Sequence, residues 1–158
     1  MVSMSRDEFW GYIEQCRQHS DGMAVFNRLL ESMLDRWELP KLAAFHKVMW
    51  VDIGVYNGEE LWAIVEPLTG IGGDDTWECY GGWLIAQGRE FYEAVIRDPK
   101  VAATRVPPLD DIFEGESVIF VAQRVCGKKT GGKWGLYDLF GDDLDGKPLP
   151  GVDWPISW

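Results

Sequence analysis

Three carboxylates, Asp74, Asp75 and Glu78, follow the turn Gly70-Ile71-Gly72-Gly73. Carboxylates this close offer two chemistries. They could share a divalent cation such as magnesium, since hard cations take several oxygen ligands. They could also act as a general acid–base pair. A mechanical alternative stays open. One aspartate would cap the following helix, Glu78 would complete the capping box, and the other aspartate would cap a neighbour or pair with Arg89. No histidine or lysine stands beside them to complete a catalytic set, so the reading leans away from an enzyme.

Downstream, Trp83 and Gln87 are four residues apart and share a face if the segment is helical. Gln87 on an apolar face would either hold a ligand or partner, or lock two helices together. With Trp62, these residues form the candidate binding set: Asp74, Asp75, Glu78, Trp83, Gln87 and Trp62. If a metal binds, Asp74, Asp75 and Glu78 are its ligands. No motif calls for a cofactor: Gly70-Ile71-Gly72-Gly73 lacks the preceding strand and following lysine of a phosphate loop. Cys16, Cys79 and Cys126 are too far apart for a metal or redox pair and read as free, at least half-buried thiols. His19 and His46 have no nucleophile or acid at a diagnostic spacing.

Charge narrows the partners. The chain of 158 residues carries a net charge of −11. That argues against nucleic acid and against anionic membranes, both of which need a basic footprint. Between Lys47 and Arg89 there is no lysine or arginine, while Asp52, Glu59, Glu60, Glu66, Asp74, Asp75 and Glu78 fall in that gap. Such a field attracts cations or a basic protein, unless it is only a solvated face. Arg124, Lys128, Lys129 and Lys133 form one basic cluster, read as a solvated loop or a contact to the acids. No apolar run reaches the ~18 residues of a membrane span. The N-terminus lacks the basic and apolar order of a secretion signal. The expected location is cytoplasmic.

The elements that position these residues read as helices. Ser5-Arg6-Asp7-Glu8 has capping-box form and opens a first helix through Phe9, Ile13 and Cys16. Met23 to Trp37 makes a second. Pro40 opens a third, which Asn57-Gly58 closes, and Tyr56 lies on its inner stripe. Glu59 to Val65 makes a fourth, ended by Pro67. A fifth starts at Asp75 and runs to Asp98-Pro99. Gly81, Gly82 and Gly88 inside that helix each cost about 1 kcal/mol, which implies a second helix packed very close. Glu116 to Cys126 reads as a helix ended by Gly127, with a strand as the alternative. The remainder is rich in Gly, Pro and Asp, with Trp134, Trp154 and Trp158 as anchors. The expected fold is mainly α: one compact multi-helix domain spanning 1–158, with a helical body over about 5–127. An irregular aromatic-rich C-terminal extension occupies about 128–158, with a short β-hairpin as an option.

An ordered set of motifs resembles a bacterial family called domain of unknown function 4240. The motifs are Phe9-Trp10, Leu61-Trp62, Gly72-Gly73-Asp74-Asp75, Trp77, Trp83-Leu84-Ile85, Gln87-Gly88, Tyr92-Glu93 and Asp98-Pro99, over about residues 6–103, with a weak continuation from Val121-Ala122. The resemblance implies a mostly helical protein and no particular activity. The family usually has an arginine where this chain has Gly81, so any contact made by that arginine would be missing here. The functional expectation is a non-enzymatic acidic interaction domain, such as an immunity or inhibitor-type protein that meets a basic partner. The alternative is a metal-assisted hydrolase or small-ligand binder using Asp74, Asp75 and Glu78. An architectural helper is a third reading.

Overall fold

The computed structural model describes residues 2–53 and 58–144, apart from the side chain of Asp52. The expectations for Tyr56, Asn57, Trp154 and Trp158 lie outside the described residues. Every regular element among the described residues is helical, and none is a strand. In chain order they are α1 (Arg6–Gln18), α2 (Met23–Leu34), α3 (Leu39–Lys47), a π-helical turn (Val48–Ile53), α4 (Glu59–Thr69), α5 (Asp74–Ala86), α6 (Arg89–Arg97), a 3-10 turn (Pro99–Thr104), α7 (Leu109–Ile119), α8 (Val121–Lys129) and α9 (Leu136–Phe140). No helix among the described residues is long and apolar enough to cross a membrane.

α1 begins where the capping box places it. The Ser5 hydroxyl accepts from the Glu8 N–H at 3.1 Å, and the Glu8 carboxylate accepts from the Ser5 N–H at 2.8 Å. Its buried stripe of Phe9, Ile13 and Cys16 joins Phe26 and Leu30 of α2 and Phe45 of α3 in one core.

The centre of the fold is α5 against α7, its most extensive helix pair. Gly82 and Gly115 meet at the crossing. A Cβ on Gly82 would stand 2.0 Å from the Gly115 carbonyl oxygen, and one on Gly115 would stand 1.9 Å from that of Cys79. The helix-weakening glycines are therefore there for close approach, as expected for Gly82.

Several boundaries differ from expectation. The long fifth helix is two helices, α5 and α6, broken at Gly88. Gly88 has φ +98°, and a Cβ there would lie 2.5 Å from Glu14 Oε1 and 2.7 Å from Arg17 Nε. α5 starts at Asp74 rather than Asp75, and Gly73 (φ +90°) precedes it without a side-chain cap. The capping role expected for an aspartate is thus not used. α4 runs through Pro67 to Thr69 and stops at left-handed Gly70. Pro67 lacks the N–H of a helical bond, and at the last residue of the helix the Thr69 hydroxyl adds a bond to the Val65 carbonyl at 2.8 Å. Pro40 is the second residue of α3, not the first. The 116–126 segment is helical but bends at Phe120 between α7 and α8, and Gly127 lies inside α8. The described part of the tail forms the short helix α9 in place of a hairpin.

Candidate functional site

The acidic end of α5 is built by the helix itself. Asp74 and Asp75 occupy its first turn and are exposed; Glu78 is one turn on and half-buried. The uncapped N–H groups of that turn carry partial positive charge, which offsets part of the repulsion among the carboxylates. The glycine seam brings α7 close enough that Glu116 joins them. Burial pushes the Glu78 carboxyl above its ordinary range, and the nearby charges of Asp75, Asp74 and Glu116 push it further. Among the described residues, none of these four acids forms an ion pair. Among the described residues there is also no group of three or more His, Cys, Asp or Glu that could hold a metal ion.

Trp62 belongs to this end. Its ring lies 4.0 Å from that of Trp77, centroid to centroid, and its Nε1–H donates to Glu66 on the same helix. Glu66 in turn stands beside the turn, 3.9 Å from where a Cβ on Gly72 would sit. On α7, Leu109, Phe113 and Glu116 follow helical spacing along one exposed face, so apolar surface adjoins the acids.

Trp83 and Gln87 do not join this set. Trp83 is 3% exposed and packs between Tyr80 and Phe91, at 5.4 and 6.3 Å. Gln87 closes the C-terminal end of α5. Its Nε2 donates to the Trp83 carbonyl at 3.2 Å, and its Oε1 accepts from Arg105 at 3.3 Å. Both residues line a separate cleft of about 360 Å³ at the other end of the helix. The candidate residues therefore divide between two places.

The family of proteins of unknown function designated DUF4240 matches residues 4–128, from the start of α1 through nearly all of α8. The chain belongs to the DUF4240 family. No curated protein and no solved structure matches it. The ordered family motifs map onto turns and packing. Phe9-Trp10 and Trp83-Leu84-Ile85 are core, Gly72 to Asp75 turns α4 into α5, and Gln87-Gly88 breaks α5 from α6. The Asp98 carboxylate accepts from the Lys100 N–H at 3.2 Å and starts the 3-10 turn at Pro99. Gly81, where an arginine is usual for the family, is buried within α5.

Several of the remaining charged residues pair internally. Arg89 pairs with Asp7 at 2.6 Å and Glu93 at 2.9 Å, so it is not a partner of either aspartate at the acidic end. Three of the basic cluster, Arg124, Lys128 and Lys129, lie on α8 rather than in a loop, while Lys133 lies in the loop beyond it, over the Trp134 ring. Arg124 binds Glu31 at 3.1 Å, Lys128 binds Asp35 at 2.9 Å, and Lys129 donates to the Asp35 carbonyl at 2.7 Å. The partners of these three are thus acids of α2, well away in sequence from the base-free stretch. All three cysteines are buried free thiols, and burial pushes Cys16 and Cys126 up to about 11. His46 is fully buried, with Nε2 3.3 Å from the Tyr137 hydroxyl and 3.4 Å from Gln123 Nε2. Sequence reasoning missed Glu116, Arg17 and Arg105. Only the crossing of α5 over α7 and the break at Gly88 bring them to α5.

Proposed function

We propose that this chain is a non-enzymatic interaction domain that receives a basic protein partner on the acidic end of α5. The observation that supports it most is the crowding of Asp74, Asp75, Glu78 and Glu116 with no ion pair among the described residues. A fold spends stability to hold like charges together, and a partner's lysines or arginines would recover it on binding. The exposed Leu109 and Phe113 beside the acids supply the apolar contact area that most interfaces need. An immunity or inhibitor-type role, blocking a basic toxin or nuclease, is the concrete form of this reading. The metal-assisted alternative has no ligand set among the described residues.

A lysine-rich peptide titrated into the full chain provides the test. At about 20 mM salt it should bind, and binding should weaken steeply as salt rises toward about 0.5 M. The triple variant Asp74→Asn, Asp75→Asn, Glu78→Gln should bind at least about tenfold more weakly than a control neutralised at Asp21 and Glu38. Equal binding by the two variants, or salt-insensitive binding, would remove the proposal.

A further inference from the structure

The cleft at the C-terminal end of α5 has the opposite character to the acidic end. Its volume, about 360 Å³, falls at the small end of the ~300–1,000 Å³ range of ligand sites. Trp83, Phe26 and Pro107 give it apolar walls. Two arginines, Arg17 and Arg105, line it with a single acid, Asp111; Arg17 is paired with Glu14, and Arg105 is the cation without an ion pair among the described residues. An adjoining cleft of about 280 Å³, lined also by Glu14 and Glu90, shares Arg17, Gln87 and Arg105 with it.

The arginines are held in place. The Arg105 guanidinium lies 4.1 Å from the Phe91 ring centroid and gives one N–H to Gln87 Oε1 at 3.3 Å. It forms no ion pair among the described residues. A stacked guanidinium with free donors suits a carboxylate or phosphate, which it can bind in a fork. Arg17 gives Nε and Nη2 to one oxygen of Glu14, at 3.0 Å each. The other oxygen of Glu14 accepts from the Arg89 N–H at 3.1 Å, and Gly88 leaves the room for this arrangement. Gly22 and Met23 bring the uncapped start of α2 to the same cleft, with no acid in its first turn. This adds positive potential on the same side.

We infer that this cleft binds a small anion with a flat apolar body: a carboxylate or phosphate head on Arg105 and Arg17, and the body against Trp83 and Pro107. It is independent of the basic-partner reading, because it uses no residue of the acidic end. Trp83 and Gln87, which the sequence marks as candidates, serve this cleft: Trp83 as wall, Gln87 as the positioning residue for Arg105.

Calorimetric titration of the full chain with four probes tests it: phenyl phosphate, benzoate, inorganic phosphate and neutral benzamide. One or both aromatic anions should bind one-to-one, and which of them binds identifies the head group. Inorganic phosphate and benzamide should bind at least about tenfold more weakly, since each supplies half of the contact. Arg105→Gln, on an exposed side chain, should weaken the aromatic anion by about tenfold or more with an unchanged melting temperature. Lys128→Gln, a cation paired on another face, should leave it unchanged. The acidic-end triple variant should also leave it unchanged, which keeps the two readings separable. No binding of either aromatic anion, phosphate binding as tightly as phenyl phosphate, or equal affinity in Arg105→Gln and Lys128→Gln would each overturn the inference.

Discussion

The two ends of α5 face opposite chemical tasks although one helix of thirteen residues joins them. At its N-terminal end three carboxylates crowd with Glu116 and have no ion pair among the described residues. At its C-terminal end two arginines border an apolar cleft with one acid. The contrast follows from what packs on each end. The N-terminal end follows a glycine turn, where the side chains point to solvent and the helix dipole favours anions. The C-terminal end stops at Gly88, where α1 and the segment after the 3-10 turn deliver Arg17 and Arg105. Between the ends, the Gly82–Gly115 seam leaves no room for a side chain. That rigid middle is what keeps the two surfaces apart and fixed in relation to each other.

The sharpest way to break the contrast is to open the seam. Gly82→Ala forces a Cβ against backbone rather than against a flexible side chain, so α5 and α7 must separate. We expect a loss of at least about 3 kcal/mol in urea unfolding, despite the better helix propensity of alanine. Glu116 should move away from Glu78 in the same variant, so the basic-peptide affinity of any folded fraction should fall too. A stability gain would mean that the helices do not touch there.

Next in size is acid sensitivity, which separates the core from both ends. Burial pushes His46 down to about 4, from an ordinary value of 6.5. Above pH 6.5 the ring is neutral folded and unfolded, and it adds no pH dependence. Below that the unfolded chain takes up a proton that the folded chain refuses. Stability should therefore fall as pH drops from about 6.5 to about 4, by roughly 3 kcal/mol in all. His46→Phe should flatten that slope while leaving both binding titrations at neutral pH unchanged. An equally steep fall in His46→Phe would assign the acid sensitivity to other groups.

The smallest effect concerns the aromatic packing behind the acidic end. The Tyr80 hydroxyl and the Trp77 Nε1–H are enclosed with no hydrogen-bond partner among the described residues. Removing the orphaned hydroxyl with Tyr80→Phe should raise stability by about 1 kcal/mol. An unchanged unfolding midpoint would show that a solvent molecule satisfies it.

Much of the helical plan was readable in order. The capping box at Ser5, the apolar stripes of α1 and α2, and the acid-bearing start of α5 all express local physics: caps, periodicity and dipole. The failures share a different cause. Gly88 reads as a costly residue inside one helix until the Glu14–Arg17 pair is seen pressed against its backbone. Pro67 reads as a terminator, yet α4 continues two residues further, to Thr69. The basic cluster reads as loop because its glycines and lysines suggest turns, whereas α8 presents Arg124, Lys128 and Lys129 to Glu31 and Asp35 of α2. For the site, Asp74, Asp75, Glu78 and Trp62 were found as a group because the first three are neighbours in sequence and all four lie on consecutive helices. Trp83 and Gln87 share a helix with the acids, but they lie at its other end, where α1 and the segment at Arg105 are the neighbours.

The order of amino acids alone determined that this chain is helical and acidic, and that its carboxylates cluster after a glycine turn. Those properties depend on hydrogen bonds and charges a few residues apart. Only the tertiary structure decided that Glu116 completes the acidic end and that Arg17 and Arg105 meet across Gln87. It also decided that Gly82 and Gly115 touch. Each of those depends on chain segments far apart in sequence, and the path of the backbone between them settles which ones converge.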